Sequence, residues 1–246
     1  MPNEQEFLIH AIAAELHGVR HVAVGSASPM PAAAAWLAHL MSGGEVRVSM
    51  LGGRDVFFTE GGRELFDCAA RGRIDGFFLS GGQIDGEANI NLMGTGTYPD
   101  LDVRWGGTYG APFLYMVTKH VILFRDEHTR RVMVPKVDFV TAPGTSPSNV
   151  HRPGGPRALV TPRCVFHFQQ ARRRFRLRSV HPGHTLEEIR DHTGFDFDVG
   201  SGPVCETTAP SVETLSLMRS RLPAFINALY PQFTRSVFPA EGEPVS

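Results

Sequence analysis

Leu79-Ser-Gly-Gly-Gln-Ile-Asp-Gly-Glu-Ala-Asn-Ile-Asn91 follows a short apolar run, Ile74 to Leu79, that reads as a buried strand. Adjacent glycines, an amide, a carboxylate and two further amides then crowd into the turn. Glycine lets a backbone approach a ligand closely, because no Cβ stands in the way. Ligands of open α/β sheets bind beyond the carboxyl ends of the parallel strands. A second cluster, Trp105-Gly-Gly-Thr-Tyr-Gly110, follows soon after. The two clusters together suggest a site.

Working outward, the upstream chain alternates strand and helix. Asn3 and Glu6 have capping-box spacing, and Phe7, Leu8, Ile12, Ala13 and Leu16 recur at helical period until Gly18. His21 to Gly25 reads as a strand, and Pro29 or Pro31 opens an alanine-rich helix that Gly43-Gly44 ends. Val46 to Leu51 is a second strand, followed by Gly52-Gly53. Glu60 to Arg71 is a helix with Leu65, Phe66 and Ala69 inward, and Cys68 falls in its core. This is the pattern of βαβ units over a parallel sheet.

Downstream, Ala111 to Met116 predicts a helical turn, and His120–Phe124, Val132–Val134 and Val137–Val140 predict strands. Residues 142–157, rich in Pro, Gly, Ser and Asn, predict a long surface loop. Val165–Phe168 and Phe175–Val180 alternate around the basic turn Arg172-Arg-Arg174 and predict an antiparallel hairpin. Thr185 with Glu188 is a second capping-box spacing, and a last helix runs from Val212 to about Leu222. The expectation is a single α/β domain over 1–246, a mostly parallel sheet with helices on both faces and an antiparallel C-terminal portion.

Composition bounds the function. A net charge of -1 and a pI near 6.8 give no electrostatic case for nucleic acid or an anionic membrane. Three scattered cysteines, Cys68, Cys164 and Cys205, form no disulfide framework and predict reduced thiols in a cytoplasmic protein. The acidic first residues are not a secretory signal, and no apolar run approaches the ~20 residues of a membrane span.

Five segments in order resemble the beta subunit of family I CoA-transferases, the glutaconate CoA-transferase group. They are Val24-Gly-Ser-Ala-Ser-Pro29; Gly81-Gly-Gln-Ile-Asp85 with Asn89-Ile-Asn91; Gly106-Gly107 with Gly110; Lys136-Val-Asp-Phe-Val-Thr-Ala-Pro-Gly144; and Ser179-Val-His-Pro-Gly183 continued through Phe195. The resemblance runs nearly end to end. It implies a CoA-transferase/ribose-phosphate isomerase type of fold and an alpha-subunit partner. It also implies an acyl-CoA thioester as substrate, a carboxylic acid as possible acceptor, and no permanently bound cofactor. In that family a glutamate attacks the thioester carbonyl, giving an acyl-glutamyl anhydride and then a glutamyl-CoA thioester. The nucleophile ends the second strand in Glu-Ser-Gly or Glu-Asn-Gly. Here the segment reads Val46-Arg-Val-Ser-Met-Leu-Gly52, with Ser49 near the expected position. The nucleophile is therefore expected from the partner, as in the two-subunit hydrolases of sterol-ring breakdown. A second departure is Ala88, where the family usually has glycine.

The candidate residues follow. Gln83, Asn89, Gly81, Gly82, Gly106, Gly107 and Gly110, with Ser49, are expected to shape the acyl and CoA pocket. Glu60, in Thr59-Glu60-Gly61-Gly62, is the alternative nucleophile of a complete homomeric enzyme, although a carboxylate there also suits a helix N-terminus. Other roles compete. Asn and Asp in the opening stretch can satisfy their own backbone. Arg172–Arg174 can grip CoA phosphates or simply face water. His181, His184 and His192 lack a carboxylate or cysteine that completes a metal site. Ser49 shows no histidine partner for a triad. A sugar-phosphate isomerase would need an acid/base pair beside a phosphate loop, which is not seen. A non-catalytic subunit that only stabilises the alpha chain is the remaining rival.

Overall fold

The structure, a computed structural model, describes residues 1–52 and 60–239. Gly53 and Thr59, read above as turn and helix-start positions, lie outside the described residues. The chain forms two compact units, Met1–Phe78 with Thr208–Ser246, and Leu79–Thr207.

The first unit opens with α1 (Glu4–Ala14), whose capping box is complete. Asn3 Oδ1 accepts from the Glu6 N–H at 2.8 Å, and the Asn3 N–H donates to Glu6 Oε2 at 2.9 Å. Then come β1 (His21–Val24), α2 (Pro29–Met41), β2 (Arg47–Met50), α3 (Gly62–Ala70) and β3 (Gly76–Leu79). The three strands pair in parallel, β1 in the middle, with Val24 opposite Met50 and Val22 opposite Gly76. Ala32 to Ala35 are fully buried on α2, where small side chains admit close packing. Leu65, Cys68 and Ala69 form the inner face of α3. Phe66, expected there, is only half-buried.

The second unit begins with two small antiparallel pairs. These are β4 (Gln83–Ile84) with β5 (Ile90–Asn91), and β6 (Gly94–Thr97) with β7 (Asp100–Arg104). They are followed by α4 (Ala111–Val117), β8 (His120–Phe124), β9 (Pro156–Val160), β10 (Cys164–Gln169), β11 (Arg174–Val180), α5 (Leu186–His192) and β12 (Cys205–Glu206). β8 and β9 are parallel, β10 runs against both β9 and β11, and β12 is parallel to β11. The antiparallel C-terminal portion is thus the expected hairpin with an added neighbour on each side. Phe166 sits at its core, 5.0 Å from Phe197 and 5.9 Å from Phe175 between ring centroids, and Phe195 packs on Phe175 at 5.5 Å. The chain returns to the first unit in α6 (Val212–Ile226) and α7 (Pro231–Val237). There Phe225 stacks on Trp36 at 4.4 Å, and Arg219 clamps the buried Glu6 carboxylate at 2.7 and 2.8 Å.

Two expected strands do not form. Val132 and Met133 send their N–H groups back to Thr129 as a turn, and Met133 alone bridges Ile84. In Val137–Val140, the Val137 and Asp138 N–H groups donate to the side chains of Asp85 and Gln83. Donors used that way cannot build a ladder. The second capping box is half made. Thr185 Oγ1 accepts from the Glu188 N–H, but the Glu188 carboxylate turns to Arg163 and His184.

A buried polar network ties α5 to the sheet edge. His128 bridges Thr161 and Thr193 at 2.8 and 2.9 Å, and His181 reaches Thr207 and the Thr161 carbonyl at 2.8 and 2.9 Å. Burial, reinforced by the nearby Arg163 charge, holds His128 down at about 3, and burial holds His181 at about 4. Both rings are neutral at pH 7. His184 meets Glu188, and His192 hydrogen-bonds the Glu188 carbonyl. Among the described residues, no helix is long and apolar enough to cross a membrane.

Candidate functional site

The opening stretch folds onto itself through its own polar side chains. Asp85 Oδ1 accepts from the Glu87 and Asn89 N–H groups at 3.1 and 3.0 Å, and Oδ2 accepts Asn89 Nδ2 at 3.1 Å and the Val137 N–H at 3.5 Å. Burial pushes the Asp85 carboxyl up from its ordinary value, and these donors oppose the rise. Asn89 Oδ1 accepts the Gly144 N–H at 3.1 Å, so both ends of that amide are engaged within the loop. Asn91 is wholly buried. Its Nδ2 donates to Gln83 Oε1 and the Gly94 carbonyl at 2.8 and 2.6 Å, and its Oδ1 accepts the Met93 N–H at 2.9 Å. Gln83 Oε1 also accepts the Asp138 N–H at 2.9 Å. Gln83 Nε2 has no acceptor among the described residues.

Ala88 sits at φ +60°, a left-handed position that glycine takes without strain. Its N–H and carbonyl are both used, by Asp85 and by the Tyr115 hydroxyl. The departure from glycine noted in the sequence is therefore a small backbone cost absorbed by a fully bonded turn.

The glycines have a packing reason. A Cβ on Gly81 would lie 2.4 Å from Ile90 Cγ2, and one on Gly82 would lie 2.2 to 2.5 Å from three atoms of the Trp105 ring. Trp105 thus lies across the Gly82 backbone and brings the second glycine cluster to the first. Its backbone N–H is fixed on the Met93 carbonyl at 2.8 Å. The loop then runs through Gly107 at φ +91°, Tyr109 at +42° and Gly110 at +85°, the last capping α4. A residue with a Cβ in that region costs roughly 1–2 kcal/mol. The N–H groups of Gly106, Gly107 and Thr108 have no acceptor among the described residues. A Cβ on Gly106 or Gly107 would meet nothing within 4 Å among the described residues. Successive backbone N–H groups left without an acceptor can receive a developing oxyanion. Sequence reading found the glycines here but not Trp105 as their cover, nor Thr108 as a third donor. An aromatic one residue before the glycine pair was the available signal.

Ser49 and Glu60 belong to the other unit. Ser49 does have a histidine partner, His21, contrary to the expectation from sequence. His21 Nδ1 donates to the Arg73 carbonyl at 2.8 Å, which leaves Nε2 to accept the Ser49 hydroxyl at 2.8 Å. Parallel pairing of β1 with β2 brings them together across 28 positions. Ser49 is 1% exposed, so this hydroxyl serves the core. Burial holds the His21 pKa below its ordinary value. The Glu60 side chain is 61% exposed and pairs with Arg63 at 3.1 Å.

The basic turn faces a cleft of about 770 Å³. Lys136 and Arg172–Arg174 line it, but so do Asp85, Glu87 and Asp196, and Asn89 lies in its wall. Arg172 and Arg174 ion-pair with Asp198. The cleft is therefore balanced in charge rather than a phosphate grip.

A family profile described as Coenzyme A transferase matches residues 54–192, more than half of the chain. The chain is 34% identical over 155 residues to the beta subunit of the 3-oxoadipate CoA-transferase of Pseudomonas knackmussii, covering 61% of this chain and 59% of that protein. It is 30% identical over 152 residues to the beta subunit of the glutaconate CoA-transferase of Acidaminococcus fermentans, covering 59% and 56%. The chain thus matches less than two thirds of the length of these curated relatives. Among solved structures, Rhodococcus jostii IpdAB superposes with a TM-score of 0.78 at 26% identity, over 90% of this chain and 95% of that one.

Proposed function

We propose, from the fact that this chain belongs to the Coenzyme A transferase family, that it is the beta subunit of a heteromeric enzyme acting on an acyl-CoA thioester. The reaction is CoA transfer to a carboxylic acid or hydrolysis of the thioester. The observation that carries this reading is the run of N–H groups at Gly106, Gly107 and Thr108 that have no acceptor among the described residues, directly after Trp105, whose ring covers Gly82. A thioester carbonyl seated there polarises as it is attacked, and the donors bind the oxygen more strongly as its charge grows. Gln83 Nε2 is a further donor for the bound ester.

The attacking carboxylate comes from an alpha subunit. The position where the resemblance expects it holds Ser49, which is buried against His21. In the first step the partner's glutamate forms a C–O bond to the acyl carbon as CoA thiolate leaves, giving a mixed anhydride. Thiolate attack on the glutamyl carbonyl then releases the acid and leaves a glutamyl-CoA thioester; the acceptor carboxylate attacks that thioester, expelling thiolate, and thiolate attack on the new acyl carbon gives the product acyl-CoA and frees the glutamate. In hydrolysis, water instead cleaves the first anhydride to the acid and the free glutamate. The rest of the proposal is a single CoA-transferase-like domain over 1–246, a cytoplasmic setting, and CoA as substrate rather than resident cofactor.

The test is to assay thioester turnover by the chain alone and co-purified with the alpha subunit encoded beside it. The complex should be active and the chain alone inactive. Hydroxylamine or borohydride trapping with acyl-CoA, followed by peptide mapping, should mark a glutamate of the alpha chain. Activity of this chain alone, or a mark on Glu60, would replace the proposal with the homomeric reading. An active complex that is indifferent to Gln83→Ala and to Gly106→Pro would reduce this chain to a stabilising subunit.

A further inference from the structure

Along β11, Arg174, Arg176 and Arg178 alternate with the buried Phe175, Leu177 and Ser179 and share the opposite face. Their partners differ. Arg174, like Arg172, ion-pairs with Asp198, whereas the Arg176 and Arg178 side chains have no ion pair or hydrogen bond among the described residues. Like charges at i and i+2 on one strand face stand about 6.5 Å apart and repel. Beside them the chain leaves the sheet. It meets β11 at Asp198, opposite Arg176, and again at Cys205, opposite Ser179. Between those points residues 199–204 loop away, and with β11 they enclose a pocket of about 370 Å³. Arg176, Arg178 and His167 line it with Val199, Pro203 and Val204, and no carboxylate among the described residues does. A Cβ on Gly200 would lie 2.7 Å from Arg176 Nη2, so that guanidinium rests against the loop backbone. The larger cleft beside Asp85 is balanced by acids; this pocket is not.

We infer that this pocket binds a small dianion, a dicarboxylate or a phosphate, held between Arg176 and Arg178. Each guanidinium is a planar fork that takes the edge of a carboxylate or phosphate through two N–H donors. Two such forks on one face call for two negative charges, and the apolar wall suits a short carbon chain. A monocarboxylate satisfies one arginine and leaves the other. The volume is at the small end for ligand sites. The inference does not depend on the acyl-CoA reading.

The experiment titrates this chain, alone and co-purified with its alpha subunit, with succinate, inorganic phosphate, acetate and succinamide at low salt by calorimetry. Succinate or phosphate should saturate the protein at least ~10-fold more tightly than acetate and weaken as salt rises, and succinamide should not bind. A preference for succinate assigns a dicarboxylate, and a preference for phosphate assigns a phosphate. The bound dianion should slow alkylation by iodoacetamide of Cys205, an exposed thiol in the pocket wall. Arg176→Gln and Arg178→Gln should each weaken binding at least ~10-fold with the thermal midpoint kept. Arg172→Gln, the same loss of charge outside the pocket, should change binding less than ~2-fold. No saturable dianion binding, equal weakening by Arg172→Gln, or an unprotected Cys205 overturns the inference. Binding that is lost in the complex also overturns it. So does a lowered midpoint or lost assembly in the Arg176 or Arg178 variant, which would make these side chains fold or subunit contacts.

Discussion

Replacing Gly82 with alanine tests whether Trp105 couples the two glycine clusters. The φ of Gly82 is not in the left-handed region, so alanine adds no backbone strain. What it adds is a Cβ at 2.2, 2.3 and 2.5 Å from Cη2, Cζ3 and Cζ2 of Trp105. Carbon atoms settle at about 3.5–4.0 Å, so the indole must withdraw by more than about 1 Å. Overpacking of that kind costs about 1–3 kcal/mol. Trp105 leads straight into Gly106, and a displacement of about 1 Å in the donors costs on the order of 100-fold in rate. The assay is a double-mutant cycle with Trp105→Ala, followed by urea unfolding of this chain and by thioester turnover of the complex. In the Trp105→Ala background, Gly82→Ala should cost less than about 0.5 kcal/mol, giving a coupling of about 1–3 kcal/mol. An equal penalty in both backgrounds would show that the ring is not what excludes the Cβ, and the coupling of the clusters through Trp105 would fall.

Asn91→Ala should destabilise the chain by about 2–4 kcal/mol in urea unfolding, since it strips partners from the Gly94 carbonyl and the Met93 N–H at a buried position. A cost below about 1 kcal/mol would mean that water replaces the amide. Stability should also fall on acidification. His128 at about 3 and His181 at about 4 lie below their ordinary value when folded, so the unfolded chain binds more protons between those values and about 6.5. Their contribution is complete above about pH 6.5 and is lost as pH falls, at up to about 1.4 kcal/mol per pH unit for each ring. Urea midpoints at about pH 7, 6 and 5 check this, and a flat profile contradicts it. Ala88→Gly should be neutral within about 0.5 kcal/mol, because relief of about 1–2 kcal/mol of left-handed strain offsets a lost methyl group and a freer unfolded chain. A loss above about 1.5 kcal/mol would mean that the turn carries no strain.

The helical periods, the Asn3 cap, the parallel strands of the first unit and the β10–β11 hairpin were legible because each depends on residues a few positions apart. The strands β4 to β7 and β9 were not read, and Val132–Val134 and Val137–Val140 were read as strands though they are not. Their N–H groups are drawn off by Thr129, Asp85 and Gln83, which periodicity does not register.

The same division holds at the site. Sequence alone marked Gly81 to Asn91 and Gly106 to Gly110 as places where backbone would be exposed to a ligand, because glycine's freedom is a local property. The family resemblance pointed to Ser49 where that family carries its nucleophilic carboxylate. Only the tertiary structure decided what those residues touch. It turned Asp85, Asn89 and Asn91 inward as a self-bonded turn, laid Trp105 over Gly82, left the N–H groups at 106–108 without an acceptor among the described residues, and gave Ser49 to His21. Each of these depends on strand order and register between distant segments, and a side chain's partner across such a gap is set by packing that no short stretch encodes.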